Sequence, residues 1–66
     1  MPMNGNITSF LEQRYRDKGY MLSEDEDFFY LYVPGDENPL VFSKNSTTVE
    51  KINTYIANLE KKEAIK

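Results

Sequence analysis

The 66-residue chain has a formal net charge of −3, 39% hydrophobic residues, and neither cysteine nor histidine. A chain of this length forms one domain with one small core, buries only about 60% of its unfolded surface and is marginally stable alone. Without cysteine or histidine it has no disulfide and no ordinary zinc site, and Ser-His or Cys-His catalysis is excluded.

The first expected element is a helix over about residues 7–18. The spacing of three and four that marks one helix face recurs in Ile7, Phe10, Leu11, Arg14 and Tyr15. Asn6 can cap its first turn, and Ser9 with Glu12 offers a second start in capping-box spacing. Gly19 suits the left-handed position just past a helix end.

Residues 28–33 and 40–42 are expected to form a β-hairpin. Aromatic and β-branched residues there flank a polar loop that contains proline, glycine and asparagine, the pattern typical of two strands and a turn. Residues 20–23 could be a linker, or a first strand that turns through the acidic run 24–27. The strand is preferred, because it gives a sheet with one apolar face.

Antiparallel pairing puts residues that lie opposite each other on the same face of a sheet. We expect Ser23 to lie opposite Phe28, and Val33 opposite Leu40. One face is then nearly all apolar and consists of Tyr20, Leu22, Phe29, Leu31, Val33, Leu40 and Phe42. The other face consists of Met21, Ser23, Phe28, Tyr30, Tyr32, Val41 and Ser43. A slip of one residue would mix the two sets.

A second helix is expected over about residues 47–63. Its apolar stripe has the 3–4–3 spacing of an amphipathic helix and consists of Val49, Ile52, Ile56 and Leu59, with Tyr55 beside it. Ser46 or Thr47 is the expected N-cap, and Thr47 with Glu50 has capping-box spacing.

Together the elements predict an α+β fold: a small single domain over residues 1–66, an α-β-β-β-α antiparallel meander with both helices packed on one face of the sheet. The tails at 1–5 and 64–66 are expected to fray. Leu31 and Ile56 are expected to be fully buried. No segment remains to cover the opposite face of the sheet.

That uncovered face is the candidate contact surface, and its members are Met21, Phe28, Tyr30, Tyr32 and Val41. Tyrosine, phenylalanine and methionine are enriched at interface cores, and contiguous apolar patches usually have a use. The alternative interpretation is a partly exposed sheet face without a partner, which small domains tolerate.

Charge is distributed unevenly, with +1 over residues 1–23, −6 over 24–37 and +2 over 38–66. Acidic turns would steer the domain toward a basic partner surface. Exposed tyrosines can also stack nucleic-acid bases, but phosphate binding needs cations that the turns lack. Neither acidic run has the ligand spacing of a calcium loop, so no metal or other cofactor is expected.

We therefore expect a non-enzymatic protein–protein interaction module, a small accessory, regulatory or inhibitor protein that contacts a protein partner or its own copy. The alternatives are a nucleic-acid-associated regulatory protein that uses basic helix faces, or an acidic mimic of nucleic acid. Catalysis by paired carboxylates would need a shielded cleft, whereas the carboxylates cluster in predicted turns. With no apolar run near the roughly 20 residues of a membrane span, a cytoplasmic location without a membrane partner is expected.

Overall fold

The protein folds as a four-stranded antiparallel sheet with helical segments on one side. The computed structural model describes residues 5–64. In chain order the elements are β1 (Gly5–Asn6), a 3₁₀ turn (Thr8–Phe10), α1 (Gln13–Arg16), β2 (Met21–Glu24), β3 (Phe28–Tyr32), β4 (Leu40–Ser43) and α2 (Val49–Ala64). The strand order β1-β2-β3-β4 is that of a meander. The expected α+β fold class is confirmed, as is the strand expected near residues 20–23.

Both predicted hairpins form, but each is displaced by two residues from the expected register. Leu31 lies opposite Leu22 on one side and opposite Leu40 on the other. Because side chains alternate with a period of two, a displacement of two residues leaves every side chain on its predicted face. The predicted faces are therefore right, although the predicted pairs are wrong.

The tight turn between β2 and β3 explains the first displacement. The Asp25 amide donates to the Phe28 carbonyl at 3.0 Å. The Asp25 Oδ1 atom accepts from the amides of Asp27 and Phe28 at 2.9 and 2.8 Å. An aspartate that binds amides two and three residues ahead closes the turn around Glu26 and Asp27. The predicted four-residue loop is thereby shortened to two residues.

Strand β1 was not predicted from the sequence, and Gly5 was expected to lie in a frayed tail. The other residues of the predicted tails, 1–4 and 65–66, lie outside the described residues. Gly5 and Asn6 pair with Glu24 and Ser23 of β2. The Ile7 amide continues this ladder by donating to the Leu22 carbonyl at 2.9 Å. A two-residue strand carries too little alternation for a sequence pattern to reveal it.

The predicted first helix over residues 7–18 is wrong as a continuous element. It is divided into the 3₁₀ turn and the single turn of α1, because Leu11 and Glu12 are extended with ψ of 154° and 147°. Phe10, expected on the buried face, is 59% exposed. The predicted cap is also wrong: Asn6 lies in β1, and Ile7 precedes the 3₁₀ turn without a side-chain cap, although the Asn6 Oδ1 atom accepts from the Thr8 amide at 3.0 Å.

Asn53 of α2 stabilises this break. Its Oδ1 atom accepts from the Glu12 amide at 3.0 Å, and its Nδ2 atom donates to the Phe10 carbonyl at 3.4 Å. The Thr8 hydroxyl accepts the Leu22 amide at 3.0 Å and thereby holds the start of the segment against β2. The two Asn53 hydrogen bonds thus satisfy backbone groups of Glu12 and Phe10 that a continuous helix would have paired internally.

After the break, the chain returns to the sheet through Gly19. Its φ of 103° is the left-handed conformation predicted there. Helix α2 is capped by Thr48 and not by the predicted Ser46 or Thr47, so it begins at Val49. The Thr48 hydroxyl accepts from the Lys51 amide at 3.2 Å, and the Thr48 carbonyl accepts from the Ile52 amide at 3.0 Å.

The core lies between the sheet and the helical segments. Its buried side chains are Leu11, Tyr15, Tyr20, Leu22, Phe29, Leu31, Ile52 and Ile56. Leu31 and Ile56 have no solvent exposure, as predicted. Every sheet residue in this set comes from the predicted apolar face, so the opposite face of the sheet, called the open face below, is turned away from the core.

Candidate functional site

Large apolar side chains are exposed on the open face of the sheet. The exposed fractions are 50% for Met21, 40% for Phe28, 39% for Tyr32 and 57% for Val41. Met21 lies directly opposite Tyr32, and Val41 lies opposite Tyr30. Val41 also has Phe28 and Tyr32 as diagonal neighbours on β3. Opposite residues have Cβ atoms about 5 Å apart and diagonal neighbours about 7–8 Å, within reach of aromatic rings, so these side chains form one continuous patch.

Tyr30 differs from the other members of the patch. It is only half-exposed, and its hydroxyl donates to the Asp25 Oδ2 atom at 2.5 Å. This hydrogen bond lowers the pKa of the Asp25 carboxyl below its usual value of 3.8. The same bond raises the pKa of the Tyr30 hydroxyl above 10.0, because ionisation would lose the donated proton. Tyr30 therefore lies on the open face and also stabilises the turn between β2 and β3.

A groove of about 280 Å³ adjoins the patch at its β1 side. Met21 and Tyr32 belong to both the patch and the groove, and the remaining lining residues are Gly5, Asn6, Thr8, Leu22 and Ser23. The groove could not be predicted from the sequence, because β1 and the 3₁₀ turn, which form one side of it, were not predicted. The groove is a depression in the surface of the sheet beside Tyr32.

Acidic residues lie at both ends of the open face. The turn between β2 and β3 carries Asp25 and Asp27, and both carboxylates contribute to raising the pKa of Tyr30. The loop between β3 and β4, at the other end of the strands, carries Asp36 and Glu37. An apolar centre with a charged rim is the arrangement found in many protein interfaces.

Several cations of the chain are paired with acids. Arg14 contacts Glu12 at 2.9 Å, and Lys44 contacts Glu24 at 2.8 Å. Lys18 pairs with Glu60, whose second oxygen accepts from the Tyr20 hydroxyl at 2.8 Å. The Lys18 ammonium and the Tyr20 hydroxyl lower the pKa of the Glu60 carboxyl. These ion pairs reduce the positive potential of the helical side.

Two further observations concern the described part of the chain. Within residues 5–64, no group of three or more acidic residues is arranged to hold a metal ion. No helix in this range is long and apolar enough to cross a membrane.

Comparison with known proteins finds no match, whether among protein-family models, curated proteins or solved structures. The geometry of the open face is accordingly the main guide to function.

Proposed function

We propose that this chain is a non-enzymatic interaction module that binds another protein through the open face of its sheet. The carrying observation is the continuous exposed patch of Met21, Phe28, Tyr32 and Val41. Exposed patches of this kind on small domains mark contact sites, and aromatic side chains commonly dominate their binding energy.

The charges at the two ends of the open face favour a basic partner. Asp25 and Asp27 lie at one end, and Asp36 and Glu37 lie in the loop at the other. A partner with apolar residues flanked by lysine or arginine would match both the patch and its ends. If two copies stacked their open faces with the strands aligned, the acidic ends of one copy would meet those of the other, whether the strands ran parallel or antiparallel. The open face thus suits a foreign partner better than a copy of itself.

Nucleic acid suits this face less well. A base stacked on Tyr30 or Tyr32 would bring its phosphates near the carboxylate of Asp25, which lies 2.5 Å from the Tyr30 hydroxyl. Affinity for nucleic acid depends on cations that neutralise phosphates. On the helical side, Arg14 and Lys18 are paired with acids. The candidates for phosphate contact there include Lys61 and Lys62 near the end of α2.

Selection from a random peptide-display library tests the proposal directly, because it requires no identified partner. We expect enriched peptides to combine aromatic or aliphatic residues with lysine or arginine. The double variant Met21→Ser/Tyr32→Ser should bind them at least about 30-fold more weakly, since loss of an aromatic anchor costs about 2 kcal/mol or more.

Phe10→Ser is the matched control, because Phe10 is 59% exposed but lies outside the open face. It should bind the selected peptides as the parent does. Absence of enriched peptides, or equal binding by the parent and the double variant, would contradict the proposal. A gel shift with generic DNA and RNA tests the alternative: steep salt-sensitive binding would replace the protein-binding function with the nucleic-acid one.

A further inference from the structure

The outer edge of β4 carries backbone groups that the fold leaves unpaired. Among residues 5–64, β4 is the last strand of the sheet and has a neighbour on one side only. The Lys44 amide donates to the Asp27 carbonyl at 2.9 Å, so Lys44 and every second residue before it point their backbone groups toward β3. The intervening residues, Val41 and Ser43, point theirs outward, and Pro39 precedes them in the same row.

We propose that two copies of this chain pair along β4, antiparallel and centred on Val41, to join their sheets into one. In this register Val41 lies opposite Val41 of the second copy, and Ser43 lies opposite Pro39. The inference does not depend on the proposed function, because the backbone of the sheet edge makes the pairing. The Val41 side chain belongs to the open face, but the hydrogen bonds of the edge do not use it.

The backbone groups of this row are self-complementary in that register. The two Val41 residues exchange a pair of amide-to-carbonyl hydrogen bonds across the two-fold axis. Each Ser43 amide donates to the Pro39 carbonyl of the other copy. Pro39 has no amide and cannot donate to the Ser43 carbonyl of the other copy. That carbonyl does not require a new donor, because it already accepts from the Ser46 amide of its own chain at 3.2 Å. The absence of an amide at Pro39 therefore leaves no carbonyl without a hydrogen bond at this position.

Charge is compatible with the same arrangement. The loop that precedes β4 carries Asp36 and Glu37, and β4 is followed by Lys44, whose ammonium lies 2.8 Å from Glu24. Antiparallel pairing places the two acidic loops at opposite ends of the new strand pair, so that they do not face each other.

Apolar side chains accompany the edge on both sides of the sheet. Val41 is 57% exposed on the open face. On the helical side, Tyr55 of α2 lies edge-on against the Phe42 ring with the centroids 5.5 Å apart, and it remains 37% exposed. Pairing along β4 would cover part of this surface and would protect an edge that is otherwise prone to uncontrolled association.

Sedimentation equilibrium of the parent and two variants of Val41 tests the inference. The parent should have the mass of two chains in the micromolar range. Val41→Pro should have the mass of one chain, because it removes both amides that are shared across the axis. Its outward amide is not used within the fold, and proline is tolerated at such edge positions. Val41→Thr keeps the amide and should remain a dimer, as should Met21→Ser/Tyr32→Ser. A single-chain mass for the parent up to millimolar concentration would overturn the inference, and so would a two-chain Val41→Pro.

A crosslink provides a readout that does not depend on the folding of the proline variant. The chain has no cysteine, so Val41→Cys introduces one thiol per copy. Hydrogen-bonded antiparallel pairs place their Cα atoms about 5.5 Å apart, so a short bis-maleimide crosslinker can join the two thiols. With this reagent, Val41→Cys should form covalent dimers and Met21→Cys, exposed on β2, should not. Equal crosslinking of both variants, or none at Val41→Cys, would overturn the register.

Discussion

Asn53 is expected to hold the N-terminal segment to α2, and its replacement by alanine should lower stability. The side chain accepts from the Glu12 amide at 3.0 Å and donates to the Phe10 carbonyl at 3.4 Å. Each hydrogen bond contributes about 0.5–1.5 kcal/mol net, and the longer one lies at the low end. Their loss should therefore cost about 1.5 kcal/mol. Alanine returns about 0.5 kcal/mol through its higher helix propensity, which leaves a net loss of about 1 kcal/mol.

Asn58→Ala is the matched control for this prediction. Asn58 is exposed on the same helix, so its replacement makes the same gain in helix propensity without losing these bonds. The control should be more stable than the parent by about 0.5 kcal/mol. The two variants should therefore differ by about 1.5 kcal/mol in the free energy of unfolding.

Urea denaturation followed by circular dichroism measures this difference directly. A domain of this size loses about 1 kcal/mol of stability per molar urea, so the two midpoints should lie about 1.5 M apart. Equal midpoints for Asn53→Ala and Asn58→Ala would refute the role of Asn53 in holding the break between the 3₁₀ turn and α1.

Two further predictions concern the core and the acidic turn. Leu31→Ala and Ile56→Ala should each lower the free energy of unfolding by about 2–5 kcal/mol, because both side chains are fully buried. The domain has about 5 kcal/mol of stability to lose, so a thermal melt of either variant should show extensive unfolding. Unchanged melting temperatures would place the core elsewhere. Asp25→Asn should lower the urea midpoint at neutral pH, because the folded-state pKa of Asp25 lies below 3.8 and its carboxylate therefore stabilises the fold above that pH. The gap to the parent should close as the pH falls through the folded-state pKa. A gap of constant size between Asp25→Asn and the parent would contradict the reasoning.

The faces of the sheet could be predicted from the sequence, whereas the register could not. Alternation of apolar and polar residues decides which side chains point inward, and it is unchanged by a displacement of two residues. The actual register depends on local turn chemistry. Asp25 binds two amides of its own turn, and the run of four acidic residues gave no reason to single out this one.

The first helix was predicted wrongly because its pattern is ambiguous over so short a span. Leu11 and Tyr15 are buried as the helical spacing requires, but they reach the core from two separate turns. The break between them depends on Asn53, 41 residues beyond Glu12 in the chain. Contacts at that separation are invisible to local periodicity.

Most of the candidate site followed from the predicted faces, since all of its members lie on the open face. The different environment of Tyr30 did not follow, because it depends on the hydroxyl meeting Asp25 across the displaced turn. The groove beside Met21 also escaped prediction, because the two-residue strand β1 forms part of it.

The long-range attachment of the N-terminal segment has a consequence for the order in which the molecule assembles. Strands β2, β3 and β4 pair with their neighbours in the chain, so this part of the sheet can form by closing only short loops. The Glu12–Asn53 and Tyr20–Glu60 hydrogen bonds instead close loops of about 40 residues, at a larger entropic cost. We therefore expect the N-terminal segment to dock last and to open first. Amide protons of Glu12 and Ile7 should exchange with solvent faster than those of β3, and slower exchange there would reverse this order.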